Sequence, residues 1–213
     1  MNNLFTKLKM IEAFITLVRN PLKTEKIFAI SDLGRERQAK EAEKILKPIL
    51  ENERFQTLWK EGYNPMIEMN ALRQLPDATF GNAVAKFLDK NGFDANGFPR
   101  VEAQSGLGYL SARMRQTHDQ WHVLTGYEAN VKDEIALQAF VMAQINSPLS
   151  AVIITGGLLH TMFYHPSRLI ETIAAVAEGY TRGRKSKNLL TERLEDYWSS
   201  PLTEVRARLS LNA

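Results

Sequence analysis

The most informative stretch of this chain is residues 117–140, which read THDQWHVLTGYEANVKDEIALQAF. Within 17 positions it places four side chains that can bind a metal or move a proton: His118, Asp119, His122 and Glu134. Only four histidines occur in the 213 residues, and two of them lie here, four positions apart. Residues at that spacing project from the same face of a helix, so His118 and His122 can bind one ion.

Glu134 needs a break in the helix to reach the same ion. It follows His122 by 12 residues, which is about 18 Å along a continuous helix at 1.5 Å per residue. Gly126 provides a helix end, and residues 127–130 can form a turn. We therefore expect a helix that carries the two histidines, a turn, and a second helix that runs back past the first and brings Glu134 to the ion.

This set of side chains suits a divalent metal. Two imidazole nitrogens with one or two carboxylate oxygens suit zinc, and also iron or manganese. The chain has no cysteine, so the thiolate sites that indicate zinc alone are absent. A pair of histidines at this spacing also occurs on solvent-exposed helix faces that bind no metal, but the interleaved Asp119 and the apolar neighbours favour the metal site. We expect zinc first, with iron or manganese as alternatives.

An uncharged run follows Glu134. Residues 135–167 contain no Asp, Glu, Lys or Arg. A membrane-spanning helix needs about 20 consecutive apolar residues, and this run is interrupted by polar residues, by a Ser-Pro pair at 147–148 and by two glycines at 156–157. We therefore predict two buried helices, at about 131–145 and 149–163, rather than a transmembrane span.

The second of these helices has an apolar side and glycines that permit close approach by a neighbour or a ligand. One interpretation is an apolar tunnel for a lipid tail, lined by Ile153, Gly157, Leu158 and Met162. The alternative is that these residues only pack against other helices. His160, in the same segment, is interpreted as a core or surface histidine and is a reserve ligand candidate.

Composition bounds the class of protein. Hydrophobic residues make up 44% of the chain and charged residues 24%, which are ordinary globular values. No strand-like alternation is found, so we expect an all-α fold: one domain over residues 1–213, built as a bundle of seven to ten helices. The net charge of +3 is too small to indicate a nucleic-acid partner and is compatible with an anionic membrane surface.

Location is predicted from the same features. The absence of cysteine fits a reducing compartment, and the N-terminus lacks the apolar core and cleavage site of a secretory signal. Early acidic residues make it a poor transit peptide. We expect a cytoplasmic protein that also lies peripherally on the inner face of a membrane.

The N-terminal region, residues 1–30, predicts an amphipathic helix. Its apolar residues recur at 4-3-4-3 spacing, and they are Leu4, Leu8, Ile11, Ile15 and Val18. We favour docking of this stripe on the core or on a second subunit, which predicts a homodimer. The alternative is a helix on a membrane surface, since lysines flank the stripe.

Near the C-terminus, the densest basic cluster of the chain surrounds Gly183. It consists of Arg182, Arg184, Lys185 and Lys187. One interpretation is a solvated loop. The other is a seat for a phosphate or a membrane headgroup, in which Arg182 and Arg184 offer the bidentate fork of a guanidinium.

Several segments together resemble one known family. The string HDQWH at 118–122, followed after 11 residues by Glu134, resembles the HDxxH-x11-E metal motif of the coenzyme Q biosynthesis protein four family. Residues 75–81 and 87–94 are similar to its LPxGTxG and FLxxNGxxP segments. Shorter similarities lie at 122–126, 134–137, 182–184 and 197–202, so that the resemblance covers about residues 70–210. The chain departs from the pattern at Ala78, where the family has Gly, and at Ala95, where it favours Pro.

The resemblance implies a role in quinone biosynthesis, with a metal-bound site acting on the head ring of a polyprenylated precursor. It also implies removal of the ring carboxyl at C1 with oxygenation there. His118, His122 and Glu134 would then be ligands. Asp119 would be a further ligand, a catalytic proton carrier, or a residue that orients a liganding histidine.

Two other functions stay open. One is a prenyl-lipid-binding scaffold that organises other quinone-biosynthesis enzymes and carries a structural metal. An open coordination position would favour the enzyme, and a closed one the scaffold. The weaker alternative is a metal hydrolase, because HDxxH is similar to HExxH. Asp119, however, is one methylene shorter than the glutamate that acts as general base in those enzymes.

Overall fold

Every regular element in the described part of the chain is a helix. The computed structural model describes residues 3–22, 35–98 and 105–211, and no strand occurs among them. The all-α fold class predicted from the sequence is therefore confirmed. These residues form ten α-helices: α1 (Asn3–Arg19), α2 (Arg35–Leu50), α3 (Glu53–Lys60), α4 (Met69–Gln74), α5 (Phe80–Asn91), α6 (Gly106–Thr125), α7 (Val131–Ile145), α8 (Pro148–Tyr164), α9 (Leu169–Lys185) and α10 (Leu202–Arg208). Short 3-10 turns lie at Pro166–Arg168, Leu189–Thr191 and Leu194–Tyr197.

The contacts divide the chain into two compact units. One lies within Met1–Leu46 and Ala129–Arg184, and the other within Lys47–Glu128 and Lys185–Ala213. Each unit has its own buried residues. The expectation of one domain over residues 1–213 stays a prediction.

Local sequence signals set the ends of the two helices that share residues 117–140. Gly126 adopts φ 76°, the left-handed conformation that favours glycine, and its N–H donates to the carbonyl of His122 to end α6. Asn130 begins α7 by accepting a hydrogen bond from the backbone N–H of Asp133. Asn146 ends α7 in the left-handed conformation. The helix–turn–helix predicted for 117–140 is confirmed.

Helices α7 and α8 lie where the two helices of the uncharged run were predicted, but only α7 is largely buried. In α8, six of seventeen residues are buried, and Val152, Met162, Phe163 and Tyr164 are exposed. In the unit that contains them, α7 is buried on nearly every side, with ten of its fifteen residues classed as buried. Such burial explains why its apolar residues show no single face. Gly157 of α8 lies against Ile135 of α7: a Cβ placed on the glycine would be 2.6 Å from Cγ2 of that isoleucine.

A second close approach in this unit joins α9 to α7. A Cβ on Gly179 would lie 2.2 Å from the carbonyl oxygen of Ala136, and one on Gly183 would lie 2.6 Å from that of Phe140. Only glycine permits this backbone-to-backbone packing. Gln144 of α7 adds a hydrogen bond from its Nε2 to the carbonyl of Gly183, at 2.9 Å.

In the other unit, side chains anchor α6 along its side and at its C-terminal end. The Arg113 guanidinium donates two hydrogen bonds to the Glu195 carboxylate, at 2.6 and 2.8 Å, and both side chains are buried. Arg206 of α10 donates to the carbonyls of Val123 and Leu124, at 2.8 and 2.9 Å. These carbonyls are in the last turn of α6 and lack helical partners, so a cation stabilises them. The helix that carries both candidate histidines is thus anchored at two points.

One helix boundary differs from an interpretation of the sequence. Helix α9 extends to Lys185, so Arg182 and Arg184 lie on the last turns of a helix rather than on a loop. Helix α2 continues through Pro48, and the segment before it, 23–34, lies outside the described residues together with the end of the N-terminal region 1–30.

The N-terminal helix is present, but its apolar stripe does not face the core of its unit. Leu8, Ile11 and Ile15 are 55%, 56% and 46% exposed, whereas Ala13 and Leu17 are buried. Docking of these three stripe residues on the core is therefore wrong. The residues that pack inward lie on another side of α1, because Gly156 of α8 leaves room there for the Leu17 side chain. The Leu4 side chain lies outside the described residues.

Candidate metal centre

Three of the predicted ligands come together. His118, His122 and Glu134 each offer one ligand atom, and these atoms all lie within 4.8 Å of one another. His122 and Glu134 are buried, and His118 is partly buried. Ligands to zinc bind at about 2.0–2.2 Å, so small side-chain rotations bring all three atoms to one ion.

The orientation of His122 is set by the turn that follows it. Its Nδ1 lies 3.0 Å from the carbonyl oxygen of Tyr127. A carbonyl can only accept a hydrogen bond, so Nδ1 carries the proton and Nε2 is left as the ligand atom. The Phe87 ring stacks on the His122 ring at 5.2 Å, and the His118 ring meets it edge-on at 4.9 Å. The left-handed turn at Gly126 therefore also places the carbonyl that fixes the tautomer.

Glu134 is held by two buried polar side chains. Gln138, one turn later on α7, donates from Nε2 to Oε1 of Glu134 at 3.0 Å. Ser150 of α8 donates from its hydroxyl to Oε1 of Gln138 at 2.9 Å. Because the serine occupies the amide oxygen, the amide nitrogen must face the carboxylate. We call this chain the Glu134–Gln138–Ser150 relay. It fixes one carboxylate oxygen, as residues behind a metal ligand commonly do.

The first turn of a helix is also a favourable position for this carboxylate. Glu134 lies in the first turn of α7, where the positive end of the helix dipole stabilises a negative charge. The charged form that binds a metal is thus supported by the dipole and by a neutral donor.

The donor set fits the expected metals. Two imidazole nitrogens and one carboxylate oxygen are accepted by zinc, iron and manganese alike. Three protein ligands leave at least one coordination position for water or a substrate. Asp119 is partly buried on α6 and does not belong to the group of three. Its role as ligand or proton carrier stays a prediction.

The candidate lipid-binding residues lie in two kinds of environment. Ile153 is buried against Leu17, and Gly157 is in contact with Ile135. Leu158 packs against a buried cluster that includes Ile135, whereas Met162 is 41% exposed. The tunnel for a lipid tail stays a prediction, and its exposed candidate is Met162.

The other two candidates of the sequence can be placed as well. His160 donates from Nδ1 to the carbonyl of Val18 at 2.9 Å, which caps the end of α1 and gives this histidine a structural role. On α9, Arg184 is exposed, whereas the Arg182 side chain is mostly buried, 3.9 Å from Glu178. A headgroup seat on these two arginines stays a prediction that Arg184 fits better.

The sequence did not predict the relay. Gln138 is one of the polar residues that interrupt the uncharged run. Its spacing of four from Glu134 was a usable signal, since these positions are neighbours on a helix. Ser150 gave no such signal, because its contact with Gln138 depends on the packing of α8 against α7.

Comparisons with known proteins agree with this architecture. The family model described as coenzyme Q (ubiquinone) biosynthesis protein Coq4 matches residues 7–213. A ubiquinone biosynthesis protein COQ4 homolog 2, mitochondrial, of Paramecium tetraurelia is 27% identical over 146 residues, 68% of either chain. The COQ4 homolog, mitochondrial, of Nematostella vectensis is 28% identical over 148 residues, 68% of this chain and 71% of the other.

A solved structure shows the same fold. The crystal structure of a candidate ubiquinone biosynthesis protein from Nostoc punctiforme superposes with a TM-score of 0.79 and 25% identity, covering 97% of this chain and 99% of the other.

The fold and the site together define a class: an all-α protein with a His–His–Glu group in metal-binding geometry. The chain belongs to the coenzyme Q (ubiquinone) biosynthesis protein Coq4 family, as the HDQWH segment and its companions predicted. The two relatives carry "mitochondrial" in their names, and a cytoplasmic location stays a prediction for this chain. None of the described helices combines the length and apolar character of a membrane-spanning segment.

Proposed function

We propose that this protein acts in ubiquinone biosynthesis as a metal-dependent enzyme on a polyprenylated ring precursor. The observation that carries the proposal is the convergence of His118, His122 and Glu134 within 4.8 Å. A site with three protein ligands and an open position is the arrangement used for catalysis rather than for structure alone.

The proposed reaction is oxidative removal of the ring carboxyl at C1. The carboxyl leaves as CO₂, and an oxygen atom from O₂ takes its place as a hydroxyl. Balance requires a two-electron donor, which reduces the second oxygen atom to water. A divalent metal here supplies positive charge that holds and polarises a carboxylate, and iron or manganese can also exchange electrons. Zinc has no redox chemistry, so the oxygenation requires one of the other two metals.

The chain's own residues have definable tasks in this proposal. The Tyr127 carbonyl keeps His122 in the tautomer that presents Nε2, and the relay keeps Glu134 in one orientation. Asp119 is the proposed proton carrier, since it is next to His118 in sequence and is partly open to solvent. The metal ligands are directly followed by the uncharged run, which supports a substrate with a polar head and an apolar tail.

The alternative is a non-enzymatic scaffold that binds a prenyl lipid, carries a structural metal and organises other quinone-biosynthesis enzymes. In either function the close packing of Ile153 and Gly157 places two of the four candidate lipid residues inside the helix core. Partly buried Leu158 and exposed Met162 are then the residues proposed to contact the lipid. In either case the proposed partners are a polyprenyl lipid or prenylated precursor, other enzymes of the pathway, and a membrane surface near Arg184.

Solvent extraction and mass spectrometry of the purified protein test the proposal together with elemental analysis. One metal per chain and a co-purified polyprenyl species would support it. Exchange of a metal-bound water, measured by relaxation of water protons with manganese in the site, separates the two functions. Fast exchange indicates the open position of an enzyme, and its absence indicates the scaffold. Metal without any lipid would reopen the hydrolase.

A further inference from the structure

The segment FLDKNGF, residues 87–93, contains no member of the metal group, yet it contacts one of the ligands. It forms the C-terminal end of α5, in the same compact unit as His122. The Phe87 ring stacks on the imidazole of His122, with 5.2 Å between the ring centroids and 21° between the ring planes. This contact connects the segment to the metal centre.

The imidazole of His122 is held from three directions. Phe87 covers one face, the His118 ring meets it edge-on at 4.9 Å, and Nδ1 lies 3.0 Å from the carbonyl oxygen of Tyr127. The hydrogen bond to Tyr127 fixes which nitrogen carries the proton, but a ring can still turn about such a bond unless a side chain blocks its face. Phe87 provides that block. A ring whose plane is already fixed loses less side-chain freedom when Nε2 binds an ion.

The backbone of the segment keeps the Phe87 ring in place. Gly92 ends α5 at φ 67°, in the left-handed conformation. The N–H of Phe93 donates to the carbonyl of Leu88 at 3.0 Å, which turns the chain back over the last turn of the helix. The Phe93 ring then meets the Phe87 ring edge-on, with centroids 6.2 Å apart. Phe87 therefore lies between a metal ligand and a second aromatic ring.

An ion pair forms a second link between α5 and the turn that follows α6. Lys90 donates from Nζ to Oε2 of Glu128 at 2.7 Å, and Glu128 directly follows Tyr127 in the chain. Both side chains of the pair are more than half exposed, at 63% and 53%, so the pair contributes little by itself. Of the two links, the aromatic stack is the one that controls His122.

The strength of the stack depends on the state of the imidazole. The imidazole acquires cationic character when Nε2 binds a divalent ion. The face of a phenylalanine ring is the negative side of its quadrupole, and it attracts a cation within about 6 Å of the ring centroid. The separation of 5.2 Å satisfies this condition. The contact is thus stronger with metal than without it, and the difference contributes to metal affinity as well as to folding.

We propose that Phe87 is a positioning residue of the metal centre. Its ring fixes the plane of the His122 imidazole and favours the metal-bound form of that ligand. Phe93 holds Phe87 in place, which gives residues 87–93 their function. The inference rests on the metal site of the proposed function, but it applies to a catalytic and to a structural metal alike.

Competition against a chelator of known zinc affinity tests the proposal. Phe87→Leu keeps an apolar side chain and removes the aromatic face, so it should weaken zinc binding about three- to tenfold. Phe87→Tyr keeps the ring and should bind zinc as wild type does. No loss of affinity in Phe87→Leu, or an equal loss in Phe87→Tyr, overturns the proposal.

The matched control is Phe80→Leu on the same helix. Phe80 also stacks on a ring, with its centroid 5.0 Å from that of Trp198, but Trp198 is not a member of the metal group. Because Phe80 is fully buried, the variant should melt at a lower temperature than wild type while its zinc affinity stays unchanged. A loss of zinc affinity equal to that of Phe87→Leu would show a general effect of packing in α5 and would overturn the proposal.

Imidazole nitrogen chemical shifts of the metal-free protein test the same role without an ion. At mildly alkaline pH, where neutral imidazoles are expected, wild type should show the His122 proton on Nδ1 alone. Phe87→Leu should show a mixture of the two tautomers, because the ring can then leave the Tyr127 carbonyl. An unchanged single tautomer in Phe87→Leu contradicts the positioning role. If wild type binds no zinc, the proposed function fails, and this measurement still decides the role of Phe87.

Discussion

Gln138 shows how a neutral side chain can control a charged ligand. Its buried amide accepts a hydrogen bond from the Ser150 hydroxyl at 2.9 Å and donates one to Oε1 of Glu134 at 3.0 Å. Residues behind a metal ligand commonly contribute 10- to 100-fold to affinity, by the general range for such contacts. The relay therefore predicts an effect on metal binding without a direct contact to the metal.

Gln138→Leu should weaken metal binding by about 10- to 100-fold, because Glu134 loses the donor that fixes it. Competition against a chelator of known affinity measures the change. The control is Gln144→Leu on the same helix, since Gln144 donates to the Gly183 carbonyl rather than to a ligand. Equal metal affinity in both variants would contradict the relay.

The buried ion pair of Arg113 and Glu195 makes a prediction about stability. Removing one partner of such a pair leaves an uncompensated charge and costs about 3–5 kcal/mol. Glu195→Gln should lower the free energy of unfolding by that order, measured by urea denaturation. Asp89→Asn is the control, because its pair with Arg73 is exposed and the variant should change stability little. A small loss in Glu195→Gln would show that Arg113 finds another partner.

The same pair predicts a pH dependence. Burial raises the pKa of the Glu195 carboxyl, but the hydrogen bonds and charge of Arg113 outweigh it and hold that pKa below its ordinary value near 4.5. A depressed pKa in the folded state contributes stability above about pH 4.5 that is lost as the pH falls through the lower folded value. Wild type should lose stability over this range more steeply than Glu195→Gln. Parallel curves for the two proteins would contradict the assignment.

Among the helices, the sequence predicted the two helices and the turn of residues 117–140 well. It did not predict how closely α9 packs against α7. Gly126 and Asn130 act through local hydrogen bonds, so their effect is visible in the sequence. The same holds for Thr79 and Gly92, which cap α5. By contrast, Gly179 and Gly183 matter through contacts with α7 about 40 residues away. No local pattern distinguishes such glycines from those of a loop.

Gly179→Ala should destabilise the protein by about 3 kcal/mol, since its Cβ would lie 2.2 Å from the Ala136 carbonyl oxygen and backbone must move. Thermal unfolding followed by circular dichroism measures the loss. Thr181→Ala, at an exposed position on the same helix, should stay within about 0.5 kcal/mol of wild type. If both variants melt alike, α9 and α7 do not cross as closely as described.

The N-terminal helix shows a different limit of sequence reasoning. Its apolar stripe was correctly assigned to a helix, but Leu8, Ile11 and Ile15 of the stripe are exposed, and the buried residues lie on another side of that helix. The regular spacing of apolar residues indicates that one face of a helix is covered, but it does not identify what covers that face. Leu17 faces inward only because Gly156 on α8 leaves space for it, which depends on a contact between distant segments.

For the whole molecule, the metal group marks the start of the uncharged residues 135–167. A polar reaction centre followed by an apolar helix pair suits a substrate that is charged at one end and apolar along its tail. Composition and spacing predicted the ligands and this adjacency. The two compact units and the buried relay required the structure, because both arise from contacts between residues far apart in the chain.

Elemental analysis of the purified protein tests whether His118, His122 and Glu134 hold a metal. One equivalent of zinc, iron or manganese per chain is expected in wild type and in His165→Ala, whose exposed histidine lies outside the metal group. His122→Ala should lose that metal and retain its helical content. Full metal occupancy in His122→Ala would contradict the site.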